Sequence, residues 1–170
     1  MTSLFPEVRD ISTLTGVFNA DAFLPIGVEG EMAVGGDATI GLPELITTAE
    51  EAVAAFGADS PLTNLVRFIL GRGITSVTAV ASDDAAPNLA ARQAAWAVLE
   101  DDPTIRIRLT DSAVQADLVA LADSCEQAES IQHKQFCFGS LAAPSSKSNL
   151  SAAAAAIASK RAVLVGPGFY

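Results

Sequence analysis

Acidic and hydroxyl side chains follow several apolar segments of this sequence, at positions where an α/β protein could carry out chemistry. Asp83 and Asp84 follow one apolar segment, Asp111 follows the next, and Ser140 follows a third. In open α/β sheets, ligands bind at the carboxyl ends of the strands. Carboxylates that converge there could hold Mg²⁺, and a nearby hydroxyl could contact a phosphoryl group. The sequence therefore allows a small-molecule-binding or Mg²⁺-dependent enzyme that uses Asp83, Asp84 and Asp111.

The same residues also fit a structural role, because Asp and Ser are ordinary N-caps of helices. The acidic arrangement is similar to that of response-regulator receiver domains, but it differs in two respects. No lysine follows the last predicted strand, and the acidic pair does not follow the first one. We therefore favour capping and predict no catalytic, cofactor-binding or metal-binding residue, with the acidic enzyme kept as the alternative.

Motifs for nucleophilic catalysis, nucleotide binding and structural zinc are incomplete. The single histidine, His133, lies in a polar turn at the amino end of a predicted strand, which is the wrong end for an α/β active site. Neither Gly-Lys-Ser/Thr nor Gly-x-Ser-x-Gly occurs. Cys125 and Cys137 flank His133 at spacings that do not match zinc sites. Both cysteines are expected in the core, and the sequence leaves a disulfide between them open.

The overall composition limits the partners of the chain. Its 170 residues are enough for one domain with a core of its own. Ten basic and twenty acidic side chains give a formal net charge of −10, which repels nucleic acid and anionic lipid. No apolar run approaches the roughly 20 residues of a membrane span, and the first residues do not read as a secretory signal. We expect a protein that folds in a cytoplasm, without nucleic acid and without membrane insertion.

Residues 46–82 carry the strongest local signals in the chain. Thr47-x-x-Glu50 and Thr48-x-x-Glu51 are overlapping capping boxes that open a helix, and Gly57 ends it. The predicted buried face of this helix consists of Ala49, Ala52, Val53 and Phe56.

A second helix follows at once, with Ser60 as its N-cap and Pro61 at its first position. Gly71 and Gly73 are expected to supply a left-handed exit into a strand over 74–81. The predicted buried stripe of this helix consists of Leu62, Leu65, Val66, Ile69 and Leu70.

Two other apolar segments carry local features that predict where their strands lie in the sheet. The apolar segment 22–28 contains Pro25, which has no amide hydrogen to donate to a neighbouring strand, and this predicts an edge strand or a break at that point. Residues 29–43 are predicted to be a loop. Residues 105–109 alternate strictly between apolar and basic side chains, which predicts a strand with one solvent-exposed face near the sheet edge. The remaining predicted elements are helix 87–99 with a face of Ala91, Ala94, Ala95 and Val98, helix 111–130, strand 134–138, helix 149–159 and strand 161–165.

The regular alternation of strands and helices after residue 82 predicts right-handed β–α–β units. We therefore predict an α/β fold, a three-layer sandwich with a mainly parallel sheet and helices on both faces. Residues 1–20 are interpreted as an N-terminal arm and residues 21–170 as a single α/β domain.

The order of these elements resembles a known family. A threonine-capped short helix ending Phe56-Gly57, a helix ending Gly71-Arg72-Gly73 and an apolar strand are similar to the first α/β segment of contractile phage tail sheath proteins. Related contractile injection systems contain the same family. Residues 118–168 continue the likeness, with a helix, the Phe-Cys-Phe strand at 136–138, a helix rich in small residues and a strand closing on Pro167.

The resemblance implies a structural protein and not an enzyme, with no cofactor. Such a subunit assembles helically around a tail tube and contracts to drive the tube through the host envelope. The implied partners are other sheath subunits (a homo-oligomer), the tail tube protein, the baseplate and the tail terminator. The implied location is the tail sheath of the virion, assembled in the host cytoplasm.

Sheath subunits are typically longer than this sequence, which corresponds to their N-terminal part. The chain is either a piece of a longer subunit or a reduced member of the family. Family members link neighbours by exchanging strands from terminal arms, and the resemblance makes 1–10 such an arm.

Overall fold

The computed structural model describes residues 25–128, 135–140, 147–157 and 159–165. The fold is α/β, with a six-stranded, mostly parallel sheet and helices on both faces, as predicted. The arm at 1–20 and His133 lie outside the described residues. The strands are β1 (Ile26–Glu31), β2 (Pro43–Ile46), β3 (Val77–Asp83), β4 (Ile107–Thr110), β5 (Phe136–Ser140) and β6 (Ala162–Val165). The helices are α1 (Ala49–Phe56), α2 (Pro61–Leu70), α3 (Leu89–Asp101), α4 (Gln115–Ala128) and α5 (Lys147–Ile157).

The strand order is β2-β3-β1-β4-β5-β6, with β2 antiparallel to β3 and all other neighbours parallel. Counted among themselves, the five parallel strands run in the order 2-1-3-4-5, a common doubly wound arrangement. The direction of winding reverses between β1 and β4. A ligand crevice is expected outside the carboxyl ends of those two strands.

The helices divide unevenly between the two faces of the sheet. Helices α1 and α2 lie over β1 and β3 on one face, and their shared cluster contains most of the apolar core. Helices α3, α4 and α5 pack side by side on the other face. Two further clusters sit beneath them, one around Trp96 and Leu121 and the other around Val80 and Leu99.

The caps predicted for the first two helices are confirmed. Thr48 is the N-cap of α1, and its reciprocal bonds with Glu51 form the capping box. Ser60 caps α2 with Pro61 at the first turn. The exit from α2 differs from the prediction: only Gly73 is left-handed, at φ +89°, whereas Gly71 keeps helical geometry.

Of the two alternatives for the first strand, the edge position was wrong, whereas β1 does begin directly after Pro25. β1 runs through the centre of the sheet, and Glu29 belongs to it and not to a loop. Pro25 stands just before β1, where it is not required to donate, and its carbonyl accepts from the amides of Arg106 and Ile107. The edge of the sheet beyond β3 is formed by β2, a short strand that was not predicted; the predicted loop ended at Pro43, its first residue.

The prediction of an edge position for residues 105–109 was also wrong. β4 lies between β1 and β5, and Arg108 on it is completely buried. Helix α3 is rotated from its predicted face, since it buries Arg92, Ala95, Trp96 and Leu99 and exposes Ala94. The physical reason is the same in both cases: a polar side chain can be buried when the opposite element provides its partners.

Candidate functional site

The crevice at the winding reversal is occupied by Asp111, the residue that follows β4. Its Oδ2 accepts a hydrogen bond from the Glu31 amide at 2.7 Å, and its Oδ1 accepts one from Arg92 Nη1 at 2.6 Å. A Cβ at Gly30 would stand 2.7 Å from Asp111 Oδ2, so the absence of a side chain there lets the carboxylate approach β1. The chain thus places one of its own carboxylates where a ligand would enter.

Arg92, on the second turn of α3, is the centre of the network. Its Nη1 lies 2.7 Å from Glu29 Oε1, and its Nε lies 3.3 Å from Asp117 Oδ2. Asp117 is held in turn by the Ser112 hydroxyl, which donates to Oδ2 at 2.6 Å. One guanidinium therefore joins β1, the β4–α4 loop and α4 to α3.

Glu29 is the most deeply placed member, with no exposed surface. Its Oε2 accepts from Trp96 Nε1 at 3.0 Å and from the Thr110 hydroxyl at 2.7 Å. Burial raises the pKa of Glu29, and hydrogen bonding from Ser82 and the charge of Arg92 oppose that rise. Arg92 has a raised pKa, because its three carboxylate neighbours outweigh its desolvation.

This arrangement is suited to holding elements together. The three carboxylates of Glu29, Asp111 and Asp117 share a single cation that the protein itself provides. Within the described ranges, no group of three or more His, Cys, Asp or Glu side chains is placed to hold a metal ion. The network ties four elements together at the seam of the sheet, and each carboxylate already accepts from a protein donor.

The structure places the sequence-predicted residues apart. Asp83 is the last residue of β3, and its carboxylate accepts from the amide of Asp84, which is exposed. In the described part of the chain, neither of them bonds to Asp111. Ser140 ends β5 on the other side of the winding reversal. Of the set Asp83, Asp84, Asp111 and Ser140, only Asp111 joins the buried network.

Sequence reasoning missed Glu29 and Arg92, and each had a weak signal. Glu29 interrupts an apolar run between glycines, and Arg92 precedes Trp96 by four residues in a helix otherwise rich in alanine. A pair four apart on a helix shares one face, so a buried Trp96 implied a buried Arg92.

An apolar groove lies on the opposite face of the sheet, between α2 and the carboxyl ends of β4 and β5. Its volume is about 510 Å³. Phe138 and Leu109 come from neighbouring strands at paired positions, and Phe68 belongs to α2. The full lining is Leu65, Phe68, Leu109, Thr110, Phe138, Gly139 and Ser140.

The groove opens onto a sheet surface that no described element covers. Phe136 and Phe138 pair with Ile107 and Leu109, and Val163 pairs with Phe138, so all five side chains share this face. Phe136 is 41% exposed and Val163 is 45% exposed. We call this surface the open face.

Arginines stack on the aromatic rings at two borders of the open face. The Arg161 guanidinium carbon lies 5.1 Å from the centroid of Phe136, and that of Arg72 lies 4.8 Å from the centroid of Phe68. The border is therefore cationic in a chain of strongly negative net charge.

Further exposed apolar side chains lie toward the other edge of the sheet, and we call this group the second patch. It is formed by residues on β2 and in the segment before it: Val34, Ile40, Leu42 and Leu45. The molecule thus carries two different apolar surfaces toward opposite ends of the sheet.

The sequence matches no protein-family model, and no curated protein is significantly similar to it. Among the described helices, none combines the length and the apolar character needed to cross a membrane.

Proposed function

We propose that this chain is the α/β part of a contractile tail sheath subunit, which assembles helically around a tail tube and contracts to drive the tube through the host envelope. Its partners would be other sheath subunits, the tail tube protein, the baseplate and the tail terminator. The protein would act in the virion after assembly in the host cytoplasm.

The open face is the observation that carries this proposal. A sheet in an α/β domain is normally covered on both sides, and apolar patches of this kind mark surfaces that meet other protein. Phe136 and Val163 remain about half exposed on it, although β1 and β3 are fully covered on the same side. The domain therefore has the surface of a component that is completed by further protein.

The position of the second patch supports an open assembly. Contacts between two unlike surfaces are heterologous, and they produce helical polymers when the rotation does not close. The open face lies over β4 to β6, whereas the other patch lies at β2. Unlike surfaces at opposite ends of one sheet favour head-to-tail contact over a symmetric dimer.

The internal network also favours a structural role over the acidic enzyme. The carboxylate of Asp111 is bound to Arg92 and to the β1 backbone, so a Mg²⁺ ion would have to displace both donors. The contraction of a sheath requires no chemistry from the subunit, only two alternative packings of rigid domains.

Antibody labelling tests the proposal directly. Antibodies raised against this chain should label contractile particles along the whole tail, in both the extended and the contracted state, in material from cells that carry the gene. Labelling of the capsid, the tube or only the soluble fraction would overturn the proposal.

Electron microscopy of the purified chain tests the role of the open face. We expect tubes or large open oligomers at high concentration, and their loss on Val163→Asp, which changes an exposed residue of the open face. Leu89→Asp is the matched control, since Leu89 is a half-exposed leucine on α3, on the opposite face. Mg²⁺-dependent stabilisation of a monomer that is lost in Asp111→Asn would favour the enzyme instead.

A further inference from the structure

The two cysteines of the chain lie next to each other beneath α4. Cys125 is on α4 and Cys137 is on β5, and both are buried in the cluster around Trp96 and Leu121. The two side chains belong to the same packed cluster, and hydrogen bonding between the thiols shifts the pKa of both. The prediction that both cysteines belong to the core is confirmed, but the neighbourhood is not purely apolar.

Arg108 brings a buried positive charge to the same place. It has no exposed surface, and it is the direct partner of Cys137 in the register of β4 and β5. Its Nη1 donates to Ser124 Oγ at 2.9 Å and to the Trp96 carbonyl at 3.3 Å, and Glu100 Oε2 lies 3.7 Å away. Ser124 is the residue immediately before Cys125.

The remaining nitrogens of Arg108 make the site unusual. Nε and Nη2 are buried and form no hydrogen bond, although a buried guanidinium normally has all its donors paired. The Cys125 sulfur is an acceptor in this neighbourhood, and hydrogen bonding with Arg108 is among the causes that lower its pKa. A thiolate there would give the unpaired N–H groups a charged acceptor, which is the stronger kind of hydrogen bond.

The two sulfurs are not equivalent. Hydrogen bonding with Cys137 and the charge of Arg108 lower the pKa of Cys125, against the opposing effects of burial and of Glu100. The pKa of Cys137 is raised, by its bond to Cys125 and by burial. These opposite shifts favour the thiolate at Cys125 over the thiolate at Cys137, and the thiolate is the nucleophilic form of cysteine.

We propose that Cys125 and Cys137 form an oxidisable dithiol, in which Arg108 holds Cys125 as the reacting sulfur and hydrogen peroxide or an alkyl hydroperoxide is the oxidant. This site is independent of the sheath proposal, since it belongs to the α4–β5 packing alone.

The reaction has two steps. The Cys125 thiolate attacks one peroxide oxygen, an S–O bond forms, the O–O bond breaks, and hydroxide (or alkoxide) leaves, so that the sulfur loses two electrons and becomes a sulfenic acid. The Cys137 sulfur then attacks Cys125, an S–S bond forms, the S–O bond breaks, and the hydroxide leaves with the Cys137 proton as water. The product is a disulfide that joins α4 to β5.

Peroxide treatment of the folded full chain tests this inference, because the chain has only these two cysteines. After alkylation of remaining thiols, peptide mapping should show a Cys125–Cys137 disulfide. In Cys137→Ala, dimedone should trap a sulfenic acid at Cys125, whereas Cys137 in Cys125→Ala should stay unreacted. Absence of the disulfide in the folded protein, or faster reaction at Cys137, would overturn the inference.

Arg108→Met tests the role of the arginine, with Arg106→Met as the matched control, since Arg106 is an exposed arginine just before β4. We expect peroxide oxidation of Cys125 to slow about tenfold or more in the first variant, as expected for loss of thiolate at neutral pH, and to stay unchanged in the second. Equal rates of Cys125 oxidation in Arg108→Met and the natural protein would show that Arg108 does not activate Cys125.

A pH profile covers the case in which Arg108→Met does not fold. In the natural protein, which keeps the bond between the two thiols, the rate of disulfide formation with excess peroxide should reach its plateau below the pH of about 8.5 at which a free cysteine ionises. A plateau above that pH would mean that Cys125 is an ordinary buried thiol.

Discussion

Strands β1 and β3 are covered on both faces by helices, whereas the described helices cover β5 and β6 on one face only. Val28 and Ala79 in the first region have no exposed surface, while Phe136 and Val163 in the second remain almost half exposed. Helices α1 and α2 account for this difference, because α2 lies over β1 and β3 and α1 packs against α2 and β2. The first region carries its own core, and the second has an apolar side that stays partly exposed.

The buried network lies along the seam between these regions. Glu29 belongs to β1, Asp111 follows β4, and Arg92 joins them from α3. Charge pairing thus aligns the two regions on the covered face, where both have helices. Substitutions in the two regions and at the seam test whether the regions differ in packing and whether the seam depends on charge pairing.

The largest effect is expected for Phe56→Ala. Phe56 is completely buried in the cluster beneath α1 and α2, so the variant leaves a cavity and should lose about 3–5 kcal/mol of unfolding free energy. Urea denaturation measures the loss. Phe136→Ala, the same change on the open face, should lose less than about 1 kcal/mol. Equal losses would mean that both regions are equally packed.

Arg92→Met should come next, with a loss of at least about 3 kcal/mol at neutral pH, because three carboxylates would remain buried without their cation. Thermal or urea unfolding measures it. Arg106→Met removes an exposed arginine and should change stability by less than about 0.5 kcal/mol. A stable Arg92→Met protein would show that the seam does not depend on charge pairing.

The pH dependence of stability should reveal Glu29. Because its folded pKa is raised, the folded state binds the proton more tightly than the unfolded state does. The stabilisation from protonated Glu29 is fully present below pH 4.5, its ordinary pKa, and is lost as the pH rises through the folded value. The unfolding free energy of the natural protein, minus that of Glu29→Gln, should show this decline as the pH rises. A difference that grows with pH would contradict the assignment.

The smallest effect on stability is expected at the open face itself. Val163→Ser should reduce binding of an apolar dye such as anilinonaphthalenesulfonate to the folded protein, while unfolding free energy falls by about 1 kcal/mol or less, because Val163 is 45% exposed. Leu89→Ser on the opposite side should leave dye binding unchanged. If the dye signal survives Val163→Ser, the open face is not the main exposed apolar surface.

Local signals allowed the first two helices to be predicted well. Capping involves residues three positions apart, so Thr48 with Glu51 and Ser60 with Pro61 can be recognised without the rest of the fold. The later strands and helices were also recognised, with ends displaced by a few residues. The α/β class followed from their alternation.

Burial of charge was not predictable in the same way. Arg108 stands in a segment where arginine alternates with isoleucine and leucine, which is typical of a strand with one solvent-exposed face. In the structure, however, α3 and α4 cover Arg108. Glu29 stood in a glycine-rich stretch that looked like a loop, and its partners come from positions 63 to 81 residues away. Nothing near either residue in the sequence indicates those partners.

By itself, the sequence determined the α/β class, the caps and glycine that bound the first two helices, and the burial of both cysteines, because these depend on local hydrogen bonds and on periodic apolar residues. Only the tertiary structure decided the strand order, the ion network at the seam, the charge beside Cys125 and the open face over β4 to β6. These features arise from contacts between residues distant in the chain, and the free energy of a buried charge depends on which distant groups surround it.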